Sequence, residues 1–185
     1  MRNVLVVISG PSGVGKGTIA KIITERNKNM MLSVSCTTRA PREGEIDGKD
    51  YFFVDRIGFE HKVSDNGFLE YSEHFGNYYG TPKEFVLEKL KSFDVLLEID
   101  VNGGLNVRKS FPQAVLIMVV PPNMEELKSR LVGRHTETDK DIELRMDRID
   151  YELERSKVYD YTVVNDNLEN AVKKIEEIIF KEKNK

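Results

Sequence analysis

Val4-Leu5-Val6-Val7-Ile8-Ser9-Gly10-Pro11-Ser12-Gly13-Val14-Gly15-Lys16-Gly17-Thr18 decides the fold. Its first five residues are an unbroken apolar run rich in β-branched side chains. An unalternated run of that kind suits a central parallel strand covered on both faces. Ser9 and the glycines then break the strand, and Ile19, Ile22 and Ile23 recur at helical spacing. The order is therefore strand, glycine-rich loop, helix. Glycines let backbone N–H groups turn inward and approach phosphate oxygens, and the following helix points its positive end at the same anion. Gly10 to Thr18 thus reads as a P-loop for a nucleoside triphosphate, with Lys16 reaching the outer phosphates. The usual pattern closes on Gly-Lys-Ser/Thr; here Gly17 follows Lys16 and the hydroxyl comes one later, at Thr18.

Outward from this stretch, apolar runs return at 95–99, 115–120 and 161–164, separated by helical patterns at 104–109, 124–132 and 168–180. That alternation predicts βαβ units and a doubly wound parallel sheet. Two stretches do not fit it. Residues 35–81 are polar and rich in tyrosine and turn residues, with short strand candidates at Tyr51-Phe52-Phe53-Val54 and Phe68-Leu69-Glu70-Tyr71. Residues 134–156 are highly charged with little apolar surface. Each is too small to bury a core alone and reads as an excursion from one domain.

Composition bounds what the chain can do. It has 185 residues, 39% hydrophobic and 32% charged, as a soluble globular domain does. With 28 basic and 31 acidic side chains the net charge is −3, which gives no global pull toward nucleic acid or an anionic membrane. Cys36 is the sole cysteine, so neither an intrachain disulfide nor a multi-cysteine metal site can form. The opening apolar run is too short for a signal segment or a membrane span, and the expected location is cytoplasmic. His61 and His74 show no ligand spacing and read as surface residues.

The first excursion carries the acceptor chemistry. Ser35-Cys36-Thr37-Thr38-Arg39-Ala40-Pro41-Arg42 sets two guanidinium groups beside hydroxyls, and guanidinium forks match phosphate oxygens. Tyr51 and Gly76-Asn77-Tyr78-Tyr79-Gly80-Thr81 add phenol donors. Glu70 stands in an apolar strand candidate, where a carboxylate can accept from the N–H edge of a base. Guanine offers that edge; adenine does not. Taken singly, each arginine reads as well as a surface charge, and each tyrosine as well as a packing ring, as either does as a functional group. Taken as a set after a P-loop, they favour a second nucleotide site.

These stretches resemble the guanylate kinases, of the nucleoside monophosphate kinase group. The matching segments are Ser9 to Lys16, Ser35 to Arg39 with Pro41-Arg42, Gly44-Glu45 and Gly48-Lys49-Asp50-Tyr51. Further on come Gly76 to Thr81, Glu98-Ile99-Asp100, Pro121-Pro122, Arg130-Leu131, Gly133-Arg134 and Val163-Val164-Asn165-Asp166. The resemblance runs through nearly the whole chain. It implies an α/β P-loop fold: a three-layer parallel sheet core (1–34, 82–128 and 157–185), an inserted nucleotide monophosphate-binding subdomain (35–81) and a helical lid (129–156). It implies transfer of the γ-phosphoryl of ATP to GMP, with Mg²⁺ held mostly by phosphate oxygens and water.

By the same resemblance, Gly10, Pro11, Ser12, Gly13, Val14, Gly15, Lys16, Gly17 and Thr18 bind ATP, with Arg130 and Asn165. Ser35, Glu70, Thr81 and Asp100 contact guanine, while Arg39, Arg42, Tyr51 and Tyr79 hold the GMP phosphate. Lys16, Arg39, Arg134 and Arg145 stabilise the moving phosphoryl group, and Thr18 and Asp100 are the nearest protein groups to the metal. His135 departs from the family's usual glycine after Arg134. A noncatalytic binding module and a kinase for another monophosphate remain alternatives, and monomer or homo-oligomer is left open.

Overall fold

Leu5–Ser9 forms β1, every residue buried. In the computed structural model, which describes residues 2–74, 76–123, 125 and 154–185, the chain continues through the glycine loop into α1, Lys16–Arg26. β2 (Met30–Leu32), β7 (Asp94–Glu98), β8 (Val115–Val120) and β9 (Tyr161–Val164) join β1 in one sheet of order β2-β7-β1-β8-β9, all pairs parallel. α3 (Lys83–Lys89) precedes β7, α4 (Val101–Ser110) follows it, and α5 (Leu168–Lys183) follows β9.

Both faces of the sheet are covered, which is why β1 reads as an unbroken apolar run. Val4, Val6 and Ile8 pack with Ile19 and Ile23 of α1 and with Val172, Ile175 and Ile179 of α5. Leu5 and Val7 pack on the other side with Val86 of α3 and Val101 and Val107 of α4. The result is three layers, helix–sheet–helix.

Residues of the first excursion build a second sheet. β3 (Cys36–Thr37), β4 (Phe52–Phe53), β5 (Phe68–His74) and β6 (Asn77–Pro82) lie in the order β4-β3-β6-β5, with β3 and β5 antiparallel to β6. α2 (Arg56–Ser64) lies between β4 and β5 in the chain; Asp55 caps it by accepting from Gly58 N–H at 2.7 Å. Leu69 belongs to the apolar cluster beneath α4, so the second sheet is rooted in the core. β2, β3, α2, β6 and α3 were not anticipated from the sequence pattern. Residues 126–153 lie outside the described residues, and with them most of the expected helix at 124–132 and of the lid, including Arg130, Arg134, Arg145 and His135. Among the described residues no helix is long and apolar enough to cross a membrane.

Candidate active site

Ligands of open parallel sheets bind beyond the carboxyl ends of the strands, where the strand order reverses. β1 ends at that point, and the glycine loop wraps there into α1. Gly15 takes φ 98°, a left-handed conformation that suits glycine, and caps α1 without a side-chain hydrogen bond. No acidic residue lies in the first turn of α1, so the positive end of the helix is not neutralised locally. The Lys16 ammonium curls over the loop and donates to the carbonyls of Gly10 (2.6 Å) and Pro11 (3.0 Å). Asn165, buried at the end of β9, donates its amide to the Val14 carbonyl at 2.8 Å and braces the loop from beneath.

β7 ends beside the same loop. The Glu98 carboxyl oxygens lie 3.3 and 3.4 Å from where a side chain on Gly17 would begin. A side chain there would meet this carboxylate closely enough that Glu98 would have to give by a few tenths of an ångström, so glycine leaves Glu98 its place beside the loop. Crowding by the surrounding protein pushes the Glu98 carboxyl above its ordinary range, and the Lys16 ammonium pulls it the other way. Thr18 is exposed one residue further along.

On the other side of Glu98 opens a recess of about 160 Å³, lined by Ser35, Tyr51, Glu70, Ser72, His74, Tyr79, Gly80, Glu98, Ile99 and Asp100. Five of these are residues singled out from the sequence: Ser35, Tyr51, Glu70, Tyr79 and Asp100. Glu70, 7% exposed, accepts from the Thr81 hydroxyl at 2.6 Å, and Thr81 is itself fully buried. Burial first, then the nearby Asp100 carboxylate, raises the Glu70 carboxyl to about 7; the Thr81 hydrogen bond and His74 oppose the rise. Asp100 caps α4 by accepting from Gly103 N–H through Oδ1 at 2.7 Å.

Arg39 stacks beside Tyr51, a lining residue, without itself lining the recess. Its guanidinium lies 5.4 Å from the Tyr51 ring centroid and donates to Glu45 Oε1 at 2.8 Å and to the Ala40 carbonyl at 2.7 Å. Tyr51 in turn meets Tyr79 edge to face at 6.2 Å. Burial pushes the Tyr51 phenol up, so it stays a neutral donor at ordinary pH. Arg42 is exposed outside the recess lining, and its backbone N–H donates to Glu45 Oε2 at 2.7 Å. The Arg39 hydrogen bond, and then the Arg42 backbone, hold Glu45 below the usual carboxylate range.

The expectation for His74 needs correction. It is half-buried in the recess rather than on the surface, because Glu70, Ser72 and His74 share one face of β5 by the period of two. His61, exposed on α2, is where it was expected. Glu98, which sequence reasoning left out of the site, lies between loop and recess. Cys36 is buried, and burial pushes its thiol up, as fits a packing residue. A larger hollow of about 600 Å³ lies between α1 and α5, but at the amino ends of the strands, away from these groups.

A loop shaped for phosphates and a carboxylate-lined recess thus share one wall residue. The family model described as guanylate kinase matches residues 2–182. The chain belongs to the guanylate kinase family. The guanylate kinase of Clostridium acetobutylicum is 49% identical over 183 residues, covering 98% of this chain and 87% of that protein. The guanylate kinase of Bacillus subtilis strain 168 is also 49% identical over 183 residues, covering 98% and 90%. A crystal structure of guanylate kinase from Anaplasma phagocytophilum superposes with a TM-score of 0.77 at 34% identity, covering 98% of this chain and 86% of that one.

Proposed function

We propose how the residues divide the work of the guanylate kinase reaction, in which this enzyme moves the γ-phosphoryl of ATP onto GMP and yields ADP and GDP. The loop from Gly10 to Thr18 holds the ATP phosphates through backbone N–H groups, the α1 terminus and Lys16. Asn165 supports it by fixing the Val14 carbonyl. Ser35, Glu70, Thr81 and Asp100 read guanine: ionised Glu70 accepts from the base N–H edge, with Thr81 aiming it. Arg39, Tyr51 and Tyr79, already clustered, hold the GMP phosphate, joined by Arg42. The observation that most supports this division is the position of Glu98, which lines the recess and lies beside Gly17 of the loop.

Phosphoryl transfer asks the protein chiefly for positioning and charge stabilisation. Lys16 and Arg39 supply fixed positive charge, and Arg134 and Arg145, with Arg130, are assigned to the same task from the stretch 129–156, read as a lid. Excluding water there protects ATP from hydrolysis. The oxygen donors beside the loop, the exposed Thr18 hydroxyl and the Glu98 carboxylate, suit a hard cation such as Mg²⁺, with Asp100 engaging it through water. When bound with ATP it would neutralise phosphate charge. We place the reaction in the cytoplasm, whose reducing conditions suit a chain with one buried thiol.

The test is transfer from Mg-ATP to a panel of GMP, AMP, UMP, CMP and dTMP, with ATP alone as control. Turnover with GMP alone is expected. Turnover with another monophosphate instead would reject the base-reading residues. No transfer by folded protein that still binds nucleotide would point to a noncatalytic binding module.

A further inference from the structure

The recess contains a histidine to which the division of labour above gives no task. His74 Nε2 lies 3.2 Å from Asp100 Oδ2 and 2.9 Å from Ser72 Oγ, and its ring centroid is 6.0 Å from that of Tyr79. The other Asp100 oxygen, Oδ1, is occupied by Gly103 N–H. Asp100 is therefore held by two different elements, α4 at one oxygen and the end of β5 at the other. Glu70 converges on the same spot: a side chain on Gly103 would begin 3.0 Å from Glu70 Oε2 and 3.4 Å from Asp100 Oδ1. Two carboxylates near one point disfavour each other's charge, and a donor held on either one eases that repulsion.

We infer that His74 is a positioning residue for base recognition, donating Nε2–H to Asp100 Oδ2 so that Asp100 and Glu70 face the monophosphate base as a preset pair of acceptors. Ser72 shares the same N–H through its hydroxyl oxygen and keeps its own proton to donate. The second sheet is thereby tied to the first across the floor of the recess, with β5 supplying both Glu70 and the donor that steadies its partner. The alternative geometry, in which His74 occupies Asp100 at the expense of the base, predicts the opposite sign of effect. The inference rests on the reading of this recess as the GMP base site.

Steady-state kinetics of His74→Leu, His74→Gln and Glu70→Gln, varying GMP and Mg-ATP in turn, test it. His74→Leu keeps bulk but has no donor, and should raise KM for GMP roughly tenfold, the loss expected for a hydrogen bond to a charged group. KM for ATP should stay unchanged. His74→Gln brings its amide nitrogen near the place of Nε2 and should recover most of the loss. An unchanged or lowered KM for GMP in His74→Leu overturns the inference, as does failure of Gln to rescue or an equal loss toward ATP. Glu70→Gln separates the two readings. If it raises KM for GMP while His74→Leu does not, only the inference falls. If it too leaves KM for GMP unchanged, the base site lies elsewhere and both fall. Should His74→Leu not fold, histidine side-chain ¹⁵N spectra of the unmodified protein decide: the His74 Nε2 resonance should move on adding GMP and not on adding ATP, and no movement refutes the role.

Discussion

Glu70 sets stability against function at a single residue. Its carboxyl is raised from the ordinary 4.5 to about 7, chiefly by burial. The native state therefore holds this proton more tightly than the unfolded chain does. Stability from this group is fully present below pH 4.5 and is lost as pH rises to about 7, a difference on the order of 3 kcal/mol. In the proposed role Glu70 reads guanine in its ionised form, so GMP affinity should run the other way and rise through the same window. Glu70→Gln should remove that loss: urea melts at about pH 5 and pH 8 should differ less in the variant than in the parent, while GMP binding weakens far more than ATP binding. Equal pH dependence in both proteins would refute the assignment. The residue was legible in the sequence as a carboxylate in an apolar strand. His74 was not, because the strand candidate was closed at Tyr71. Continuing it by twos from Glu70 leads to Ser72 and His74. Glu98 was missed for another reason: its role depends on β7 pairing with β1, which brings it to Gly17.

At the scale of elements, legibility followed burial. β1, β7, β8 and α5 carry long apolar patterns and were placed within a few residues. α2 buries Phe59 alone, and α3 Val86 alone, so neither shows a helical stripe. β6 contains asparagine, glycine and proline and is a strand because β3 and β5 pair with it on either side, which no local pattern reveals. The junction between β1 and α4 depends on a residue distant in sequence. The buried Tyr159 hydroxyl contacts Ser9 Oγ at 2.9 Å and donates to the Val101 carbonyl at 3.1 Å. The Ser9 hydroxyl itself contacts the Asp100 carbonyl at 3.2 Å. Tyr159→Phe keeps the ring and removes this link. It should cost about 1–2 kcal/mol in denaturant melts and, by loosening the start of α4, raise KM for GMP more than KM for ATP. A variant as stable as its parent would show that the link contributes nothing.

Across the whole molecule, the chemistry gathers at one end of the sheet and a clasp closes the other. At the amino ends of the strands Asp94 is fully buried; Oδ1 accepts from Val4 N–H at 3.0 Å and Oδ2 from the Lys183 ammonium at 2.5 Å. The contact joins the last turn of α5 to the start of β7 and fastens the final helix over the three-layer core. A buried carboxylate stripped of its cation costs more than the pair ever contributes. Lys183 keeps 17% of its side chain exposed, so the lower part of the usual range applies. Lys183→Met should therefore lower the unfolding free energy by about 3 kcal/mol. Because loop and recess both lie beyond the opposite, carboxyl ends of the strands, the KM values for ATP and GMP should hold steady below the shifted melting temperature. A change in either KM without a change in stability would mean that the two ends of the sheet are coupled through β1 and β7, and that the clasp belongs to the active site as much as to the fold.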